Sequence, residues 1–371
     1  GRGGTARTDD GKLDVKLDNA SAHNLSVRAT VADASRDETL AQYPGQDAAA
    51  KLLNGSYGVS ASYTGIITPS LVNTANFGLT RIDLQRTGSL ATSFTLDSID
   101  VDTNYTRPYT RVAPTYNFID DLTWTKGTHS VTMGANLRLI RNERTNYSNA
   151  FESYSFGRGS LLGLGSDIVN ATQSYLGALT GNPNIRVSDA TTVGRAFGNL
   201  YGVLTNASMT YTYDQTGQPI PIGAPTVRNF ASNEFELYAG DSWRATPNLT
   251  LSYGLRYMFL GAPYEQNGQQ VASTFPLQDF FAERLALSAQ GIPSWQMPNN
   301  LLQYDFNGPA NGTSSWFRND RNNFAPRAGF AYTPEGGFLK MLTGEGGVIR
   351  GGTGLVYDRF GSNIVTLLDT N

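Results

Sequence analysis

The sequence predicts an all-β fold, an antiparallel up-and-down β-barrel, on three observations. Apolar and polar residues alternate with a period of two along many segments, which is typical of strands with two unlike faces. Short and long connections follow one another in strict alternation between these segments. Aromatic residues recur where the segments end. The 371-residue chain contains about ten such strands by this pattern.

The clearest strand lies in SWRATPNLTLSYGLRYMFLG, residues 242–261. Leu251, Tyr253 and Leu255 fall on one parity, and Arg256 falls on the other. The same alternation recurs at 13–17, 25–31, 57–63, 75–79, 131–139, 324–332 and 349–357.

Two further segments, 112–125 and 233–244, are aromatic and strand-like but have poorer parity. Asp120 and Asp241 fall on their otherwise apolar faces, and the pattern alone does not explain them.

The connections indicate how the strands are arranged. If short and long connections alternate, all short turns meet at one end of a meander and all long ones at the other, as in outer-membrane barrels. The short connections are Asn19–His23, Ile67–Ser70, Lys126–Thr128, Ala245–Asn248 and the longer Pro334–Glu345. The long connections are 33–55, 86–111, 148–230 and 261–322, and another opens after Arg359.

Composition excludes several classes of protein. Charged residues make up 16% of the chain, against about 25% in typical soluble domains. The absence of cysteine excludes disulfides, thiolate catalysis and cysteine-based metal sites. The chain has only 2 histidines, which are far apart, and this argues against a histidine-based metal site. A net charge of −3 gives no reason to expect a nucleic-acid partner.

No apolar run is long enough for a transmembrane helix, so a membrane-spanning chain of this kind must be a β-barrel. Arginines recur on the polar parity, where each would cost about 2–4 kcal/mol if it faced lipid at the bilayer midplane. A soluble sandwich would carry more Lys and Glu there. We therefore expect that parity to face the lumen. The lumen-facing candidates are Arg28, Asn136, Arg138, Arg256, Arg327 and Arg350.

Aromatic residues mark both predicted membrane interfaces, where barrels carry aromatic girdles. Trp124 and Trp243 lie just before short turns, and Tyr257, Phe259 and Tyr357 lie just before long connections. This placement predicts periplasmic short turns and extracellular long loops in the outer membrane of a Gram-negative bacterium.

Four stretches carry a family resemblance: DDLTWTKGTHSVTMGANLR (120–138), EFELYAGDSWRATPNLTLSYGLRYMF (234–259), NNFAPRAGFAYTP (322–334) and VIRGGTGLVYDRF (348–360). In this order they resemble the barrel of TonB-dependent outer-membrane receptors. The likeness is greatest to the Oar-like branch, which carries a carboxypeptidase-regulatory-like domain at its N terminus. The resemblance covers most strands but not the long loops.

The resemblance implies a 22-stranded barrel, an N-terminal plug, a TonB box and energy coupling through TonB, ExbB and ExbD. It also implies uptake of an extracellular ligand whose identity the sequence does not reveal. Residues 1–371 contain no plug sequence, no TonB box and no closing strand by this comparison. We expect them to be a partial barrel domain that breaks off in an extracellular loop.

Few residues suggest chemistry. In DSIDVDTN, Asp97, Asp100, Asp102 and Asn104 resemble the start of a calcium-binding loop, but Tyr105 stands where the glycine should be and no Glu closes the motif. A solvated acidic loop is the alternative. No cofactor and no catalytic constellation is expected, so the chain is not interpreted as an enzyme.

Helical spacing indicates a short loop helix at 277–290 and a weaker one at 160–181, which three glycines disfavour. Two other functions remain open. One is a passive porin or structural outer-membrane barrel, and the other is a secreted all-β adhesin or carbohydrate-binding protein.

Overall fold

The computed structural model describes residues 6–19, 22–39, 50–96, 101–102, 106–156, 165–344 and 346–358. Long strands form one antiparallel sheet in which each strand pairs with its neighbours in chain order. They are β1 (Ala6–Asn19), β2 (His23–Thr39), β3 (Ala50–Thr68), β4 (Leu71–Arg86), β5 (Tyr109–Lys126), β6 (His129–Asn146), β7 (Thr226–Thr246), β8 (Leu249–Leu260), β9 (Asn323–Tyr332) and β10 (Ile349–Gly354).

This order confirms the predicted up-and-down meander. Tight turns join β3 to β4, β5 to β6 and β7 to β8, and they all lie at one end of the sheet. Gly127 in the second of these turns has a φ of 59°, a left-handed conformation that glycine adopts without steric cost. In the described part of the chain β1 and β10 are the two edges, so the sheet is open.

The register gives the sheet two unlike faces, because directly paired residues in antiparallel strands lie on the same side. Leu137, Phe235 and Phe259 share one rung across β6, β7 and β8. We call their side the apolar face. Asn136 and Glu236 share the next rung on the opposite side, which we call the polar face.

The apolar alternation covers only part of each strand. On β6 it ends at Leu139, after which Arg141 and Glu143 occupy the same parity. Pairing with β7 nevertheless continues to Asn146, because backbone hydrogen bonds do not require apolar side chains. The β7 strand is 21 residues long, about twice the 9–11 residues that cross a membrane.

The predicted 33–55 connection was therefore too wide. The β2 strand continues to Thr39 and β3 begins at Ala50, and their polar outer ends hid this continuation from the hydrophobic pattern.

Where the structure describes them, the connections contain four α-helices, α1 (Gly165–Thr180), α2 (Val187–Leu200), α3 (Leu277–Ala289) and α4 (Gly337–Thr343). The predicted helix at 277–290 is confirmed by α3, and α1 lies within the weaker prediction at 160–181. In the ranges that the structure describes, no helix has both the length and the apolar character to span a membrane.

Short strands also build small loop sheets, which the sequence pattern did not predict. Four of them pair with one another: Ser93–Leu96, Val101–Asp102, Ser153–Phe156 and Leu204–Ser208. In the 261–322 connection Val271–Ser273 pairs with Tyr304–Phe306, and Tyr264–Glu265 adds to β7.

The 261–322 connection has a polar core of its own. Glu265 and Gln270 are each only 1% exposed. The Glu265 carboxylate accepts hydrogen bonds from the backbone N–H groups of Asn229, Asn267 and Gln269 at 3.0, 2.9 and 2.8 Å. A buried polar group is tolerated when it is hydrogen-bonded, so the Glu265 carboxylate can be buried here. Its hydrogen bond from Asn229 on β7 ties the connection to that strand.

Candidate functional site

The polar face of β5 to β8 contains a row of polar and small residues. All six predicted lumen-facing residues lie on the polar face by register. One continuous rung from β2 to β7 holds Arg28, Ser60, Gly78, Asn117, Arg138 and Glu234.

Between the described residues of β6 to β8, two ion pairs lie on this face. Arg138 Nη1 is 3.3 Å from the Oε2 of Glu234, whose side chain is 6% exposed. Arg256 Nη1 is 2.7 Å from the Oε2 of Glu236. A charge-assisted hydrogen bond of this kind is stronger than a neutral one, and removing either partner leaves the other charge unpaired.

Tyr238 joins the second pair to β5. The guanidinium of Arg256 lies over the Tyr238 ring at 4.7 Å from its centroid. The Tyr238 hydroxyl donates to the Oδ1 of Asp121. Gly134 sits on the rung beside Tyr238, where a Cβ would meet that hydroxyl and the Asp121 carboxylate. The glycine leaves room for the bridge.

A shallow depression of about 460 Å³ lies next to this network. Its floor is made by the facing glycines Gly240 and Gly254. Arg256 and Arg327 line it together with Thr132. Cationic and hydroxyl groups around a bare backbone floor form a surface that can hold a polar or anionic group.

Three other predicted polar-face residues lie outside the two ion pairs described above. Arg28 and Arg350 lie near the two edges of the sheet and are exposed. Asn136 is next to Glu236 on its rung, and its Oδ1 is buried with no hydrogen-bond partner among the described residues.

The acidic partners Asp121, Glu234 and Glu236 and the bridging Tyr238 were missed by the sequence prediction. Their parity alone did not reveal them, since 112–125 and 233–244 alternate poorly. The available signal was that acids on one strand share a parity class with arginines on the next, but this becomes a contact only when the register is known.

Four of the five predicted girdle aromatics, Trp124, Trp243, Tyr257 and Phe259, lie on the apolar face by register. The Tyr257 ring lies between those of Phe235 and Phe324 in tilted contacts, with ring centroids 5.8 and 4.9 Å away, and Phe259 stacks on Phe235 at 5.3 Å. This cluster is at the long-connection ends of β8 and β9 and near the middle of the longer β7. Tyr357 lies beyond the end of β10 at Gly354.

At the other end, Lys126 Nζ lies 5.4 Å from the centroid of Trp124, and Trp243 stacks on His129 at 5.5 Å with an interplanar angle of 4°. Amphipathic rings with a polar neighbour are typical of a membrane interface.

The two aspartates that fell on the apolar face are both hydrogen-bonded there. Asp120 accepts from Asn73 Nδ2 at 2.8 Å. Asp241 is in contact with His129 at 2.6 Å and accepts from the Tyr253 hydroxyl at 2.9 Å. These partners offset the cost of placing a carboxylate on an otherwise apolar surface.

The calcium-loop prediction lies outside the described residues. Asp97, Asp100 and Asn104 are not among them, and Asp102 is described only through the backbone of its short strand. Within the described ranges no three acidic or histidine side chains form a metal-binding group.

A meander of long antiparallel strands with an exposed apolar face and a charged opposite face is the wall of an outer-membrane β-barrel. The chain belongs to the outer membrane beta barrel domain family, which matches residues 2–371. Its location is therefore the outer membrane of a Gram-negative bacterium, and its apolar face contacts lipid.

Solved outer-membrane proteins are similar to the chain. The ferripyoverdine receptor of Pseudomonas aeruginosa is 10% identical over 90% of this chain and 34% of its own, with a TM-score of 0.44. The transporter YddB from Escherichia coli is 13% identical over 89% and 38%, with a TM-score of 0.43. The siderophore receptor PiuA from Acinetobacter baumannii is 10% identical over 90% and 40%, with a TM-score of 0.38.

This chain thus spans between 34% and 40% of the length of those three structures. Among curated proteins, none matches it at a significant level.

Proposed function

We propose that the chain forms part of a TonB-dependent receptor of the Oar-like branch, which binds a ligand at its long loops and passes it through a gated lumen. The observation that carries this proposal is the paired charge network on the polar face. Its ion pairs, bridging tyrosine and glycine-floored depression suit a wall against which polar groups move or dock.

The sequence supports the same proposal independently. The stretches at 120–138, 234–259, 322–334 and 348–360 resemble this family in their order along the chain. The residues proposed to face the lumen are Arg28, Asn136, Arg138, Arg256, Arg327 and Arg350, with the long connections on the extracellular side.

A passive porin is the second candidate, because the same polar face would also line a water-filled channel. Two measurements on the intact protein separate the two functions. The purified protein should bind the periplasmic domain of TonB in a pull-down and should show no steady conductance in a planar bilayer.

A stable open-channel conductance without TonB binding would contradict the receptor and establish the porin. A matched control for the pull-down is an unrelated porin of the same membrane, which should not retain TonB.

A further inference from the structure

The connection between β9 and β10 contains a helix whose apolar side chains are open to the surroundings. The α4 helix has the sequence GFLKMLT. Phe338, Met341 and Leu342 are 69%, 77% and 70% exposed. Adjacent bulky side chains at this level of exposure are unfavourable in water and mark a surface that another apolar phase covers.

The helix is amphipathic. At 3.6 residues per turn, its apolar side chains fall within about 160° of the circumference. These are Phe338, Leu339, Met341 and Leu342. Lys340 lies on the opposite side. A wide apolar face opposed by a lysine is the pattern of helices that lie in the plane of a membrane interface.

The position of α4 indicates that lipid covers its apolar face. The last rung before the connection pairs Tyr332 with Ile349, and both lie on the lipid-contacting apolar face. Five residue steps separate Tyr332 from Gly337, which is at most about 18 Å of chain. The helix is therefore held close to the end of the membrane wall.

Two observations add to this continuity. Val348, which leads into β10, is 43% exposed and extends the apolar surface between helix and sheet. Gly337 and Gly344 have φ values of 74° and 77°, left-handed conformations that favour glycine. These glycines bound the helix with sharp turns, so its axis need not follow the strands.

We propose that α4 lies in the headgroup region of the leaflet at the short-turn end, with Phe338, Met341 and Leu342 inserted among the acyl chains. Lys340 then faces the aqueous side, where its charge stays hydrated. The helix would fix the depth of the β9–β10 connection at the membrane surface. This inference holds whether the barrel is a receptor or a porin.

Site-specific fluorescence tests the proposal. The chain contains no cysteine, so once any cysteine elsewhere in the intact protein is replaced by serine, a single one can be introduced at M341C, L342C or K340C and labelled with a small polarity-sensitive dye. The intact protein is reconstituted into vesicles containing a lipid with a nitroxide near the headgroup. Heat-modifiable migration on gels verifies that each variant is folded.

Quenching by the nitroxide lipid should be at least twofold greater at positions 341 and 342 than at position 340, and quenching by aqueous iodide should show the reverse order. Equal quenching at all three positions would overturn the proposal. Protection of positions 341 and 342 from both quenchers would also overturn it, since that result places the helix against protein.

Discussion

His129 Nδ1 lies 2.6 Å from the Oδ2 of Asp241, and both side chains are on the lipid-contacting face. A carboxylate only accepts hydrogen bonds, so the imidazole N–H is the donor. Tyr253 adds a second donor to the same oxygen, and Trp243 covers the imidazole. A charged residue is thereby accommodated near the short-turn end of an apolar strand.

Asp241→Ala should destabilise the barrel, because it leaves the His129 and Tyr253 donors without an acceptor. The free energy of unfolding should fall, as measured by urea unfolding of the intact protein in vesicles. Ser242→Ala, one residue along on the polar face, is the control and should change the value by less than about 0.5 kcal/mol. Equal effects would contradict this role of Asp241.

Tyr238→Phe should remove the bridge to Asp121 while keeping the ring under Arg256. Hydrogen bonds to charged groups contribute about 1.5–3 kcal/mol, so a loss near that size is expected in the same unfolding assay. Tyr257→Phe is the matched control, since the described residues offer its hydroxyl no hydrogen bond and its ring stacking is retained. If both variants lose the same stability, the bridge to Asp121 contributes nothing.

Gly254→Ala should be destabilising because its Cβ would lie 2.9 Å from the Ala239 carbonyl oxygen and 3.1 Å from the Gly240 Cα. Overpacking against fixed backbone costs about 1–3 kcal/mol. Gly55→Ala is the control, because the Cβ that it would gain has no other atom within 4 Å. Gly55→Ala should leave stability unchanged or raise it slightly. Thermal unfolding followed by gel migration would compare the two variants. A neutral Gly254→Ala would show that β7 and β8 can separate without cost.

The turn at Asp214 should resist acid. Hydrogen bonds from the Thr216 hydroxyl and from the backbone N–H groups of Gln218 and Thr216 hold the pKa of the Asp214 carboxyl below its ordinary value of 3.8. A lowered folded-state pKa means that the stabilisation is present above the ordinary pKa and is lost as the pH falls through the lowered value. The turn should therefore stay closed at pH 4 and open only under more acidic conditions.

A carboxyl 13C titration of the intact protein measures this pKa directly. Thr216→Ala removes the hydroxyl donor and should move the Asp214 midpoint back towards 3.8. An unchanged midpoint in that variant would refute the assignment of the shift to Thr216.

Much of the fold was predictable because period-two alternation and connection length are local properties of the chain. The strand Leu249–Leu260 was found from its alternation, and the helix at 277–290 from the equally local spacing of its apolar residues at every fourth position. The outer ends of strands such as β2 and β6 were not, since residues like Arg141 and Glu143 break the alternation while the backbone pairing continues.

The candidate site was predictable only in part. Arg138 and Arg256 stood out as charges on a strand of otherwise small and apolar residues. Their partners Glu234 and Glu236 depend on the register between strands that are separated by long connections, which no local pattern specifies. The same reason left Asp120 and Asp241 unexplained until Asn73 and His129 were placed beside them.

The β7 strand is longer than the membrane is thick, so part of it extends beyond the bilayer. Beyond the 9–11 residues that cross the bilayer, about ten more continue as paired strand, which is roughly 33 Å of strand at 3.3 Å per residue. With a tilt near 45°, this extension of β7 reaches about 23 Å beyond the hydrocarbon. A large ligand would thus contact a hydrogen-bonded extension of the strands before it reached the depth of the lipids. Antibodies or phages would bind to the same exposed edge.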